Sequence, residues 1–364
     1  QARHGLSLPF LDEHHLAFFE LRELLVPHCG HRIPLPRLVM AGLFEAGGLG
    51  AVRAAAWGAP WIAAGVAAHA ARRLRGRTEW EDLAFPLLSS GPSFAFSTLH
   101  GYDLHFGLQV LLAVVAVSLL AHRRPRAAIV PVALCLGCGV NGLLVAVALS
   151  FAFPFTLDRR AGWLVPLGVV SVAVALFAGA EGTAIDAPAL WRQLATAGAI
   201  GLSVLDRVVR HWPWTAPPLV LFALGCGWAL RAGRPPLALT LATLGALAVW
   251  IAIGHARTFG FSGDPWVPGR YQSHAAQPFA FALLSLAAMR RRAPAGLLAL
   301  ALLVALPVHL DDASRLGAWI DRVEYDTQVA IRSLWTPEEL ADHFGELLQP
   351  YDRGLLIRSL RAAL

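Results

Sequence analysis

The chain has 364 residues, of which 56% are hydrophobic and 15% charged, with a formal net charge of +6. A soluble domain carries about a quarter charged residues, so the composition excludes an ordinary soluble globular protein and points to an integral membrane protein. The basic excess sits in short arginine clusters between apolar runs, as expected of cytoplasmic loops, so nucleic acid is not the expected partner; four scattered cysteines imply no disulfide framework.

In chain order, residues 1–46 read as an outer-face loop. The first residue is Gln1 with no signal pattern before it, so an N-terminal segment is expected to be missing from the chain. Two polar clusters stand out. In Leu8-Pro9-Phe10-Leu11-Asp12-Glu13-His14-His15 two carboxylates adjoin at a membrane edge. There one can deprotonate an acceptor hydroxyl while its neighbour raises its pKa or holds a metal. The bland alternative is an exposed acidic turn. In Pro27-His28-Cys29-Gly30-His31-Arg32-Ile33-Pro34-Leu35-Pro36-Arg37, cations and hydrogen-bond donors surround prolines. Such a segment makes a rigid anion site, with arginine offering a bidentate fork to phosphate; contact with lipid head groups is the alternative. Glu13, His14, His15, His28 and His31 are candidate ligands for a divalent cation (Mg²⁺, Mn²⁺ or Zn²⁺), but no spacing matches a strong metal signature, so no metal is assigned.

Apolar runs follow at 47–71, 83–99, 104–121, 127–153, 162–180, 214–231, 235–254, 274–289 and 294–310. They approach the roughly 20 residues that cross a bilayer and together predict an all-α polytopic domain over 47–310 with about 8–11 transmembrane helices. The run 83–99 carries Pro86, Ser89, Ser90, Gly91 and Pro92 and reads as short, broken or re-entrant. Next, His100-Gly101-Tyr102-Asp103-Leu104-His105-Phe106-Gly107-Leu108-Gln109 opens a helix with polar residues, which either line a site or cap and anchor the helix. The run 127–153 holds Gly137, Gly139, Asn141 and Gly142 in its middle and reads as a hairpin of two short helices in preference to one tilted helix. Cys135-Leu136-Gly137-Cys138 has redox spacing, but its small apolar neighbours favour helix packing.

Topology follows from arginine. Arg72-Arg73-Leu74-Arg75-Gly76-Arg77, Arg123-Arg124-Pro125-Arg126, Arg231 to Arg234 and Arg290-Arg291-Arg292 all flank apolar runs and are placed in the cytoplasm; the hairpin adds Asp158-Arg159-Arg160. The loops 1–46, 100–103 and 255–273, the segment 181–212 with a helix over 187–205, and the tail 311–364 then face outward. Loop 255–273 contributes His255, Arg257, Asp264, Trp266, Arg270 and Tyr271 between glycines and prolines. Its Arg-Tyr pair can grip a phosphate or anchor the interface. In the tail, Thr336-Pro337-Glu338-Glu339 predicts a capped helix start followed by an apolar face at Leu340, Phe344, Leu347 and Leu348. All the polar clusters fall on one side of the membrane.

These motifs resemble those of a poorly characterised bacterial branch of the GT-C glycosyltransferases. Leu11-Asp12-Glu13-His14-His15 is similar to their acidic motif. Pro27-His28 with His31-Arg32-Ile33 and Pro36-Arg37, then His100 to Phe106, then Gly269-Arg270-Tyr271-Gln272, follow the order of the branch over roughly 8–290. Cys29 and Gly30 stand where it often has Asn-Glu, and His100 to Asp103 where it often has Trp-Gly-Phe-Gln. The resemblance implies an inverting glycosyltransferase in a bacterial inner (plasma) membrane, working on the periplasmic or outer face. It implies Asp12 as general base and Glu13 as its neighbour or a metal ligand. It implies that His28, His31, Arg32, Arg37 and Arg270 hold the phosphate of a polyprenyl-phosphate sugar, with Tyr271 positioning the donor. His14, His15, His100, Tyr102, Asp103 and Trp266 are left for a lipid or glycan acceptor or the groove, and membrane lipids are the remaining partners. Three other readings stay open: a flippase of lipid-linked sugars using the same phosphate site, an acyltransferase for which His69 is the one candidate histidine within a run, and a non-catalytic scaffold.

Overall fold

A computed structural model describes residues 32–89, 104–177, 216–233, 236–260, 272–332 and 336–340, with Leu24, Asp342 and Ile357. Among them there are helices and no strand, so the described part of the chain is all-α. In order they are α1 (Pro34–Arg75), a 3-10 turn (Trp80–Leu83), α2 (Ala84–Ser89), α3 (Leu104–Ala121), α4 (Pro125–Leu136), α5 (Val140–Ser150), a second 3-10 turn (Phe153–Phe155), α6 (Arg159–Phe177), α7 (Ala216–Ala232), α8 (Leu237–Gly260), α9 (Gln272–Ala288) and α10 (Ala293–Arg332).

Two of these, α1 and α3, are long and apolar enough to cross a membrane; apart from the short α2, the apolar stretches of the others run 10–17 residues. α3 packs against α1 and α4, α8 against α5 and α9, and α7 against α10. Among the described residues alanine is the commonest buried apolar residue, beside large ones such as Val145, Leu149, Leu239 and Phe281. Ala63, Ala67, Ala113, Ala116, Ala242, Ala246 and Ala299 are buried, while Leu164 is 68%, Leu224 65% and Trp228 62% exposed. The buried alanines let helix backbones approach closely.

α1 is two helices joined at a break. Gly48 has φ +63°, a left-handed value that favours glycine. The half before the break folds onto the half after it: Met40, Leu43 and Phe44 pack with Val52, Ala55 and Ala56. The break falls on the predicted boundary between loop and first apolar run, but residues 34–46, expected as loop, are helical. Pro34 at the first helical position starts this piece, where a missing N–H costs nothing.

The region 127–153 is two helices, as the hairpin reading expects. The chain turns at Gly137-Cys138-Gly139, with Gly139 at φ +86°. A side chain on Gly142 would run into the carbonyl of Cys135, so the tightness of this turn depends on a bare Cα there. Cys135 and Cys138 are both buried and unbridged, consistent with a packing role. The predicted loop 255–273 is shorter than expected, since α8 runs on to Gly260 and takes in positions 255 and 257. The tail boundary at 310 is likewise crossed by a continuous helix. α10 has 40 residues, about 60 Å at 1.5 Å per residue, and its polar second half extends the apolar first half without interruption. Thr336 caps the next helix as expected: its Oγ1 accepts the Glu339 N–H at 3.2 Å, and its own N–H donates to Glu339 Oε2 at 2.6 Å.

Three helices finish alike at one end of the bundle. Gly76, Arg123 and Arg290 all lie in the left-handed region, at φ +86°, +57° and +56°. After α3 and α9 the turn is closed by paired bonds, Arg123 N–H to Leu120 and Arg124 N–H to Leu119, and Arg290 N–H to Ala287 and Arg291 N–H to Leu286. These satisfy the last helical carbonyls. Arginine takes the place usual for glycine, at a terminus whose dipole favours a cation. Arg292 Nη2 reaches Glu79 at 2.8 Å, so the cluster after α9 meets the segment after α1. Arg291 stacks over Trp228 near the end of α7, 5.1 Å from its centroid. α3 runs in the direction of α1, since Gly107 meets Ala59 and Val110 and Val114 share a small cavity with Ala63 and Ala67. The clusters at 72–77, 123–126 and 290–292 therefore lie at one end of the bundle, with Arg231 beside them.

Candidate functional site

The described part of the predicted site is Arg32 and Arg37. Arg32 is half-buried just before α1 and Arg37 sits in the first turn of α1, only 8% exposed. A third arginine was not expected: Arg53, in the half of α1 after the break, is 6% exposed. Its signal in the sequence was its place as the lone cation within the apolar run 47–71, since a charge kept inside such a run marks a site. Arg37 shares the buried face of its helical piece with Met40, and Arg53 shares that of the second piece with Val52 and Ala56. Met40, Val52 and Ala56 belong to one apolar cluster with Ile33, Ala59 and Leu104, so both arginines adjoin residues of the same cluster in sequence.

The start of α1 is tied to the α4–α5 turn. The N–H of Leu35, in the first turn of α1, donates to the carbonyl of Gly137 at 3.2 Å. A helix start offers N–H groups without internal partners and a helix end offers such carbonyls. Joining one to the other satisfies both where water is scarce. Gly137 is held close, with no room for a Cβ beside that of Leu35. The hairpin tip therefore fixes where Arg32 and Arg37 stand.

A second polar element joins α3 and α9. Gln277 Nε2 donates to Gln109 Oε1 at 2.9 Å, and both residues are 1% exposed. Gln109 Nε2 and Gln277 Oε1 find no partner among the described residues. Beside Gln277 lies a cavity of about 30 Å³, lined also by Pro60, Ser89 and Val110, with room for one water. Gln109 lies six positions after Asp103 and Gln277 six positions after Tyr271. The amide bond thus pins, at matched depth, the two helices that start at the third and fourth polar motifs.

Asp12, Glu13, His14, His15, His28, His31, His100, Tyr102, Asp103, Trp266, Arg270 and Tyr271 lie outside the described residues. No group of three or more histidines, cysteines and acids suited to a metal occurs among the described residues, and the candidate metal ligands of the first loop are not among them. His69 is exposed on α1 rather than set in a funnel.

The class these observations define is an all-α chain with two helices able to cross a membrane and two arginines buried at a helix break. Neither protein-family models, nor curated proteins, nor solved structures give a match to it.

Proposed function

We propose that this chain is a polytopic membrane glycosyltransferase of the GT-C type, moving a sugar from a polyprenyl-phosphate donor to a lipid or glycan acceptor on the outer face. The observation that supports it best is the pair Arg37 and Arg53, almost fully buried in a chain with few charges. Cations kept within an apolar chain mark a functional site, and a lipid-linked phosphate is an anion that a membrane enzyme meets in its surroundings. Large apolar side chains such as Leu164, Leu224 and Trp228 stand exposed on several helices, which supports a chain that crosses the membrane many times. Asp12 would deprotonate the acceptor hydroxyl, which attacks the anomeric carbon with inversion. Polyprenyl phosphate leaves with its charge balanced by Arg32, Arg37, Arg53 and Arg270, helped by His28 and His31. Glu13 would set the basicity of Asp12 or hold a divalent cation there.

A flippase for lipid-linked sugars is the second reading. It is favoured by α4 and α5, which at 12 and 11 residues span about 18 and 16 Å and stop short of a full crossing. Interrupted helices of this kind build substrate sites in transporters.

One assay separates the two. Membranes carrying the wild type or Asp12→Asn are given a radiolabelled polyprenyl-phosphate sugar. Transfer lost in the variant, with donor binding retained, supports the enzyme. No transfer by either form across several donor sugars, with flipping of the donor in liposomes, supports the transporter.

A further inference from the structure

The bond between Gln109 and Gln277 leaves polar groups over in the interior of the bundle. Each side-chain amide brings a carbonyl oxygen and an NH2 group. The bond from Gln277 Nε2 to Gln109 Oε1 uses one donor and one acceptor. Gln109 Nε2 and Gln277 Oε1 then stand without a partner among the described residues, and both residues are 1% exposed. Turning both amides over exchanges the roles and again leaves one donor and one acceptor. A buried polar group in this state is costly, and neither an apolar core nor lipid supplies what it lacks.

Gln277 stands in the wall of the small cavity between four helices. Pro60 and Ala63 of α1, Ser89 of α2, Val114 of α3 and Ala280 of α9 form the rest of that wall. The lining is apolar except for the Gln277 amide and Ser89. Its volume of about 30 Å³ admits a single water and is too small for a sugar, a phosphate or a lipid chain. A cavity of this size lined by hydrocarbon alone stays dry, whereas one with two to four polar partners holds water. Three partners are on hand: Gln277 Oε1, the Ser89 hydroxyl, and Gln109 Nε2 on the amide bonded to Gln277. Water both donates and accepts, so one molecule satisfies the carbonyl and the NH2 group together.

We propose that this cavity is a resident water site. One water donates to Gln277 Oε1, accepts from Gln109 Nε2 and bonds with Ser89 Oγ. It completes a polar unit that joins α2, α3 and α9. Ser89 is the last residue of α2, and α3 and α9 begin beside the third and fourth polar motifs. The water therefore ties together the three helices that adjoin those motifs along the chain.

The test is a crystal structure of the full chain grown in a lipid mesophase, at a resolution that shows ordered water, with and without xenon under pressure. The expected result for the wild type is one rounded density peak within hydrogen-bond distance of both amides, and no xenon, because xenon enters dry apolar cavities. Gln109→Leu/Gln277→Leu removes both amides and is expected to lose the water peak. Xenon in the wild-type cavity, or a cavity without density, overturns the site, and this result stands whether or not the double variant folds. A peak retained in the double variant overturns the amides as the groups that hold it. Density that runs out of the cavity as a chain overturns water as the occupant.

Discussion

The two ends of the bundle use arginine in opposite ways. At the end where α1, α3 and α9 terminate, Arg77 and Arg292 are exposed and share Glu79, and Arg291 lies over Trp228. At the broken start of α1, Arg37 and Arg53 are buried on the apolar faces of two helical pieces folded together. The difference shows that arginine count and spacing do not define a role. Exposed arginines at helix ends sit where the helix dipole favours a cation, whereas Arg37 and Arg53 are held within apolar packing.

Several changes would break or sharpen this contrast. The largest effect on folding is expected at the buried Arg75–Asp82 pair of the arginine end. Arg75→Leu leaves Asp82 without its partner and should cost about 3–5 kcal/mol, and adding Asp82→Leu should recover much of it; thermal unfolding in detergent measures both. At the other end Arg37→Gln, compared at equal amounts of folded protein, should lower sugar transfer by about 100-fold, as removing one donor to a developing negative charge does. Arg77→Gln in the same transfer assay should change the rate little, so equal losses at both ends would erase the distinction. Between the ends, Gln109→Leu strands the amide of Gln277 and should cost about 1–3 kcal/mol, with the double variant Gln109→Leu/Gln277→Leu closer to wild type than the sum of the singles. The smallest effect belongs to Thr336→Ala, about 1 kcal/mol through loss of the helix cap, read as local hydrogen exchange at Glu339 and Leu340.

Much of the fold was legible because the apolar runs and their punctuation are local. Gly137 and Gly139 marked the α4–α5 turn, Thr336 and Glu339 marked a capped start, and the glycines at 47–48 fell where α1 breaks. The helical state of 34–46 was hidden by its prolines and arginine, which read as a loop until Pro34 and Pro36 are seen to lie in a helix's first turn, where proline is tolerated. The continuity of α10 through 310 was hidden because a fall in hydropathy looks like an end, although helix bonding does not depend on hydropathy. In the candidate site, Arg32 and Arg37 stood out as part of a motif. Arg53 stood alone and was passed over, since nothing in one dimension couples it to a residue sixteen positions earlier.

By itself the sequence determined the helical class, the placing of the arginine clusters at helix ends, and the small residues that let helices approach. These depend on short-range preferences and on composition. Only the tertiary structure decided that α1 folds back at Gly48 to bring Val52 and Ala56 into one cluster with Met40, that Leu35 meets Gly137, and that Gln109 meets Gln277 across 168 positions. Such contacts follow from the packing of distant surfaces, which is settled by the shape of the whole bundle and leaves no periodic trace along the chain.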